Sequence, residues 1–392
     1  MTGRKTEYDE RYLLTGATGF LGSHIMAGLL LKGKTVVVAG RSSYSESLKQ
    51  RIRKLLNWFG IEHLEKLLEF YEIDLLNKQL GLAEEEYKNL CSRGLSIIHC
   101  ASDTSFAEKN RERVMKSNVE SLTEILNFAL KSRSQWFHFI SSAYAAGCDI
   151  IECREVLRNS SHFTNVYEES KARAESKVSE ICKKGVVPYT IIRPSIVYGD
   201  SVTGRSLKFN ALYFPVKCVQ YIRDIYIDDI KINNGVKSAE CGIYINNKGF
   251  LHLPIRFFIP NRGNINLIPV NYFLKTVLSI IENPVPETVY HITSNNPLNM
   301  AKLTSYTERY LKITGIEILI GPPGSDEVRN PPEELLDHFI KPYLPYISDK
   351  RIFIRENTDM AVCGSLPPDL TYEIFQRCMD FAVSADWGEK LL

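Results

Sequence analysis

Residues 15–22 read T-G-A-T-G-F-L-G and stand between two apolar runs, R-Y-L-L-T at Arg11–Thr15 and F-L-G-S-H-I-M-A-G-L-L-L at Phe20–Leu31. The first run reads as a strand and the second as a helix. Glycines at 16, 19 and 22 permit a tight turn, a close approach of backbone to a pyrophosphate, and close packing of the helix on the strand. The helix start then offers free N–H groups and a positive dipole end to phosphate. Gly16, Thr18, Gly19, Phe20, Leu21 and Gly22 are therefore the expected cradle of a dinucleotide. A merely structural glycine turn is the weaker reading, because strand, turn and helix occur in the required order.

The rest of the first 200 residues repeats this alternation. Further strands are expected at 35–39 (T-V-V-V-A), 68–73, 96–100 (S-I-I-H-C), 136–141 (W-F-H-F-I-S) and 189–193 (Y-T-I-I-R), and further helices over 45–59, 107–131 and 170–183. Strands alternating with helices imply α/β architecture: a Rossmann-type, doubly wound parallel sheet. The strands are apolar throughout, which fits burial on both faces. After about Gly204 the pattern changes. The stretch 207–227 is aromatic-rich, 270–281 reads as a helix, and 288–293 (T-V-Y-H-I-T) as a short strand. Residues 321–333, with four prolines and two glycines, are expected to interrupt regular structure as a linker or long loop. The last 60 residues return to mixed helix and strand.

The second strand leads into A-G-R-S-S. An acidic residue at this point usually binds a ribose 2′-hydroxyl; Arg41 suits a 2′-phosphate instead, so NADPH is the expected cofactor. Arg51 could add a second contact or lie on a solvated helix face. Asp74 and Leu75, after the third strand, are placed to meet the adenine, with a capping role as the alternative for Asp74. Ala101 and Pro194 follow the fourth and sixth strands, at the carboxyl edge where ligands bind in such sheets.

Tyr167 and Lys171 form Y-E-E-S-K, and a spacing of four puts both on one helix face. The lysine is expected to lower the phenol pKa electrostatically and to hold the nicotinamide ribose, so that the tyrosine exchanges a proton near neutral pH. Ser142, just past the fifth strand, can donate a hydrogen bond to a carbonyl oxygen. Asn118 can order a water or backbone group in the relay. Tyr144 reads as a pocket wall and His99 as a structural histidine. The eight histidines show no metal-ligand spacing, so no metal is expected.

Several runs together resemble one branch of the extended short-chain dehydrogenase/reductases, the thioester reductase/fatty acyl-CoA reductase branch with a male-sterility-type NAD-binding region. They are I-I-H-C-A-S-D-T-S-F (97–106), N-V-E-S-L (118–122), F-I-S-S-A-Y-A-A-G (139–147), I-I-R-P-S-I-V-Y-G-D-S-V-T-G (191–204) and I-N-L-I-P-V-N-Y (265–272). G-R-S-S with Q-R-I (40–43, 50–52) and D-L-L-N-K-Q-L-G-L (74–82) belong with them, and the 3-3 glycine spacing is that of the wider group. The resemblance covers roughly residues 10 to 300; Y-L-P-Y (343–346) and the end at Trp387 resemble the tail of fatty acyl-CoA reductases. It implies NADPH-dependent reduction of an acyl thioester to an aldehyde, sometimes on to an alcohol, with Ser142, Tyr167 and Lys171 matching the catalytic set. The substrate would be acyl-CoA or an acyl chain on a separate carrier protein, since no adenylation region or carrier serine motif is present. Departures from the pattern are Ile73 before Asp74, Asn271 in place of an aspartate, and Cys100 and Ser102 where small alanines are common.

Composition removes several other classes. With 44% hydrophobic and 24% charged residues a sizeable core is available and global disorder is excluded. Lys+Arg 48 against Asp+Glu 46 gives no sign of a nucleic-acid or anionic-membrane surface. No apolar run reaches the roughly 20 residues of a membrane helix, and the polar start M-T-G-R-K-T-E-Y-D-E-R-Y gives no signal peptide. Nine scattered cysteines without a C-x-x-C pair fit a reducing, cytoplasmic setting. At 392 residues the chain exceeds one usual domain. The expected division is an NADP-binding domain, 1–204 and 265–300, and a smaller, discontinuous substrate-binding cap, 205–264 and 301–392. Two rival readings share the motifs. One is an extended reductase of the sugar-nucleotide epimerase/dehydratase or 3β-hydroxysteroid type, against which Arg41 and G-D-S-V-T-G speak. The other is an NADPH-sensing regulator, which would usually have lost Tyr167 or Lys171. The sequence leaves the oligomeric state open.

Overall fold

A computed structural model describes residues 11–324 and 327–391. The polar N-terminal stretch through residue 10, residues 325 and 326 of the proline-rich stretch, and residue 392 lie outside the described residues.

Seven parallel strands form the central sheet: β1 Arg11–Thr15, β2 Thr35–Gly40, β3 Leu68–Glu72, β4 Ser96–His99, β5 Phe137–Ile140, β6 Tyr189–Pro194 and β7 Thr288–Ile292. Their order is β7-β6-β5-β4-β1-β2-β3. The chain reverses direction across the sheet after β3, so β1 and β4 flank the switch point, where an open α/β sheet leaves a crevice at its carboxyl edge. Along β2, Val36 and Val38 join one core and Val37 and Ala39 the other. This is why the strand is apolar at every position: each face is covered, and each buried valine contributes about 1.5–3 kcal/mol. Helices Phe20–Leu31, Leu48–Phe59 and Val270–Glu282 cover the first face, while Leu122–Lys131 and Val166–Gly185 cover the second. Gly28 lets the first and third of these close up, since a Cβ there would lie 2.8 Å from Leu274 Cδ1.

The helix expected over 107–131 is not continuous. A 3₁₀ turn, Glu108–Asn110, leads into Arg111–Met115, a π-helical turn at Lys116–Glu120, and then Leu122–Lys131. The helix expected from residue 170 begins at Val166, where Asn165 caps it by accepting from the Glu168 N–H at 3.1 Å. Tyr167 therefore stands in its first turn.

A further hydrophobic core surrounds a strand, Leu251–Ile259, that buries every other residue. Ile313–Ile320 pairs with it in parallel, Tyr244–Ile245 antiparallel. Helices Tyr213–Ile232, Met300–Leu311, Pro331–Ile340 and Tyr372–Ser384 enclose it. The expected loop 321–333 ends early: Pro331 and Pro332 open a helix whose capping box is Asn330 and Glu333. Proline suits that position because its missing N–H would be unpaired there anyway. Residues 352–355, in the expected cap, pack back against the first 300 residues. Ile352–Phe353 pairs with Glu152–Cys153, and buried Arg355 donates to the Tyr272 hydroxyl at 2.6 Å. No helix among the described residues is long and apolar enough to cross a membrane.

Candidate active site

The glycine turn has the geometry its spacing requires. Gly16 sits at φ +75°, and a Cβ there would come 2.6 Å from the Ala101 nitrogen. A Cβ on Gly22 would lie 2.1 Å from the Gly16 carbonyl oxygen. Gly19 is exposed at the N-cap of Phe20–Leu31; no side chain caps that helix and its first turn carries no acid. The cradle thus fits a dinucleotide phosphate, with backbone N–H groups, a dipole end and no competing charge.

Past β5, Ser142 is buried and its Oγ accepts from the Tyr144 N–H at 3.3 Å. Tyr167 and Ser142 line the same pocket, and Ser142 favours the ionised phenol. Lys171, one turn on, is 3% exposed and donates to the Ile140 carbonyl at 2.9 Å. Its ammonium lies 5.0 Å from the Phe139 ring centroid and 6.0 Å from that of Tyr167. Burial lowers Lys171 to about 8, with Cys100 and Glu175 opposing. The expectation that the lysine depresses the phenol pKa does not hold in this geometry: burial raises Tyr167 and outweighs the opposing influence of Ser142. The phenol is a held proton, suited to donation.

Asn118 holds backbone groups of loop 101–105. It lies in the π-helical turn, and its Oδ1 accepts from the Asp103 N–H at 2.7 Å and from Ser102 Oγ at 3.1 Å. Its Nδ2 donates to the Asp103 carbonyl and to Ser170 Oγ at 2.8 and 2.9 Å. Both ends of the amide are occupied, so Asn118 ties loop 101–105 to the Val166–Gly185 helix beside Lys171. The extra residue of a π-turn re-aims the side chain. His99 is structural: it bonds Thr15 Oγ1 at 2.9 Å, and burial lowers it to about 3.

Ser142, Tyr167 and Lys171 share a cavity of about 660 Å³ with Gly16, Gly19, Phe20, Leu21, Gly22 and Pro194. Thr18, Ala101 and Asn118 do not line it; Ala101 forms the wall against which Gly16 packs. Arg41, Arg51, Asp74 and Leu75 also stand off this cavity, at the other end of the sheet edge. Arg41 is exposed, and Arg51 donates to its carbonyl at 3.1 Å. Neighbouring Ser42 donates to Glu72 at the end of β3. Asp74 serves as a cap, accepting from the Leu76 N–H and the Asn77 amide at 3.0 Å each, and half-buried Leu75 packs on the second-face core.

Several wall residues were absent from the sequence-derived set. The Phe106 ring lies 5.9 Å from Tyr167 and 5.3 Å from Tyr346. Arg351 pairs with Glu168, the neighbour of Tyr167, at 3.3 Å, and lies 4.7 Å from the Tyr144 ring centroid. That contact pins 343–353 over the pocket. The motifs T-S-F and Y-L-P-Y contain Phe106, Tyr343 and Tyr346, and were the available signal. No cluster of metal-ligating side chains occurs among the described residues.

The fold is that of a solved terminal R domain from the myxalamid PKS-NRPS biosynthetic pathway, with a TM-score of 0.74 at 20% identity, covering 98% of this chain and 93% of that one. In sequence the chain is 23% identical to nonribosomal peptide synthetase asaC of Aspergillus flavus over 73% of its own length, and spans 26% of that protein. It is 25% identical to human fatty acyl-CoA reductase 2 over 74% of its own length, and spans 59% of that protein. The male sterility protein model, an NAD-binding family, matches residues 14–277. With a glycine cradle, a paired tyrosine and lysine, and that match over most of its length, the chain belongs to the male sterility protein family of nicotinamide-dinucleotide-binding oxidoreductases.

Proposed function

We propose that this protein is an NADPH-dependent reductase of acyl thioesters, carried on coenzyme A or on a carrier protein, releasing the aldehyde. The observation that carries the reading is the shared cavity: Ser142, Tyr167 and Lys171 meet the glycine cradle at one end, and Phe106, Leu212, Phe214, Met300 and Leu303 extend it as an apolar wall. An acyl chain lies in such a wall at a gain of about 25 cal/mol per Å² removed from water. The similarity to peptide-synthetase and fatty acyl-CoA reductases supports the same substrate class.

The dinucleotide supplies a hydride. The chain's own groups position the carbonyl and manage charge. Ser142 and Tyr167 both donate toward the oxygen that becomes negative at the carbonyl, where preorganised donors are worth most. Lys171, held by the Ile140 carbonyl, keeps two further N–H groups for ribose hydroxyls. The resulting hemithioacetal loses its hydroxyl proton as the C–S bond breaks, so the thiol departs protonated and the aldehyde remains. The same donors serve a second reduction to the alcohol when the aldehyde stays bound. Arg41, at the end of β2, would take the 2′-phosphate of NADPH.

A sugar-nucleotide epimerase shares the fold and the tyrosine–lysine pair, but the apolar wall offers a nucleotide sugar few partners. The nine free cysteines support a reducing, cytoplasmic setting. Tyr167→Phe tests the assignment. Turnover of an acyl-CoA should fall by at least about 100-fold, the usual worth of a general acid, while NADPH quenching of protein fluorescence still titrates. Unchanged turnover would sink it.

A further inference from the structure

The cavity is charged in only one sense. Among the described residues that line it, the ionisable ammonium groups are Lys171 and Lys208, and no carboxylate or guanidinium faces it. Lys171 is spoken for by the Ile140 carbonyl and the ribose. Lys208 belongs to the segment that follows Gly204 and lies across the opening from loop 101–106. Its Nζ reaches Thr104 Oγ1 only at 3.5 Å, the outer limit of a hydrogen bond, and it makes no ion pair within 4 Å among the described residues. The nearest carboxylate influence on it is Asp103, whose oxygens are already engaged by Arg113 Nε and the Ser105 N–H, each at 2.9 Å. The backbone of Lys208 is fixed: its N–H donates to Ser206 Oγ and its carbonyl accepts from the same hydroxyl. Burial pushes the Lys208 amine below its usual range, with Asp103 opposing. Lys208 is exposed at the mouth of the cavity, so its ammonium is free to meet an anion that a ligand carries there.

The placement says which ligand. The reacting carbonyl belongs at the buried end, against Ser142 and Tyr167, and the acyl chain along the apolar wall. The thiol side of the thioester must lead out to solvent, past the exposed segment that bears Lys208. Both coenzyme A and a carrier protein present their thiol on a phosphopantetheine arm, and lysine binds phosphate as a compact point charge. We propose that Lys208 is the binding residue for the phosphate of that arm. This rests on the thioester reading above.

The test uses one acyl chain on three thiols: coenzyme A, 4′-phosphopantetheine, and N-acetylcysteamine, which lacks phosphate. Lys208→Met keeps the length and removes the charge. Its KM should rise on the order of ten- to a hundredfold for the two phosphate-bearing thioesters, the usual worth of a charge-assisted hydrogen bond. KM for the N-acetylcysteamine thioester and the Kd for NADPH should stay within twofold of wild type, and Lys208→Arg should restore most of the loss. An equal rise for all three thioesters overturns the proposal, as does a rise confined to coenzyme A or a weakened NADPH Kd with thioester KM values unchanged. Wild-type protein inert toward all three overturns the thioester reading itself, and this inference with it.

Discussion

Glu175→Gln probes what holds the candidate site in register. Glu175 lies one turn beyond Lys171 on the Val166–Gly185 helix, and Arg193 lies near the end of β6. Their side chains are 2% and 1% exposed. Arg193 Nε and Nη2 donate to the two carboxylate oxygens at 2.8 and 2.6 Å, and Ser141 Oγ, next to Ser142, donates to one of them at 2.5 Å. The other face of Arg193 meets His291 Nε2 at 3.1 Å. The carboxylate thus joins the catalytic helix, the Ser142 turn and the sheet. Glutamine keeps the shape but leaves the guanidinium without its counter-charge, and an uncompensated charge at this depth costs about 3–5 kcal/mol. At a urea slope of about 3 kcal/mol per M, the unfolding midpoint should drop by about 1–1.7 M. Glu175→Met with Arg193→Met should recover much of that loss, because an apolar pair leaves no orphan charge. Equilibrium urea unfolding of wild type, Glu175→Met, Arg193→Met and the double variant closes the cycle, with Glu175→Gln measured beside them. A Glu175→Gln midpoint within about 0.3 M of wild type would refute the reasoning, since the pair would then carry little net coupling.

Arg41→Ala should weaken NADPH about ten- to a hundredfold, the worth of charged hydrogen bonds to one phosphate, and leave NADH almost unchanged; titration with both cofactors decides it, and equal loss would remove the 2′-phosphate role. Lys171, lowered by burial to about 8, is charged below that pH and neutral above it. kcat/KM should therefore fall as pH rises through about 8, and a profile flat to pH 10 would contradict a role for the ammonium. Asn118→Ala strands the Asp103 N–H and carbonyl, so it should cost about 1–3 kcal/mol in urea unfolding and lower kcat, with a smaller change in NADPH Kd.

The sheet was legible in the sequence because its central strands are mostly apolar on both faces and its cradle needs glycine for steric reasons that only backbone contacts impose. Gly16 and Gly22 would each collide with main chain if they carried a Cβ. Tyr167 and Lys171 were legible because four residues make one helical turn. The interruption at Lys116–Glu120 was not, since K-S-N-V-E has no proline or glycine and the π-turn is decided by the bonds Asn118 makes to a distant loop. Alternation in L-H-L-P-I-R-F-F-I does mark the strand Leu251–Ile259, but Pro254 in its middle argues against a strand unless its partners are known. The pocket wall was harder still. Arg351 reaches Glu168 across 183 residues, and nothing local to either signals the pair. The direction of the Tyr167 shift also needed the structure, since burial, and not the lysine beside it, sets it.

The account turns on the substrate being a thioester. Purified protein should be given NADPH with acyl chains of several lengths on coenzyme A and on carrier protein, and products identified by mass spectrometry. The account predicts NADPH oxidation matched by free thiol and by aldehyde or alcohol. No thioester consumed, together with NAD⁺ reduction by alcohols or conversion of a nucleotide sugar, would contradict it.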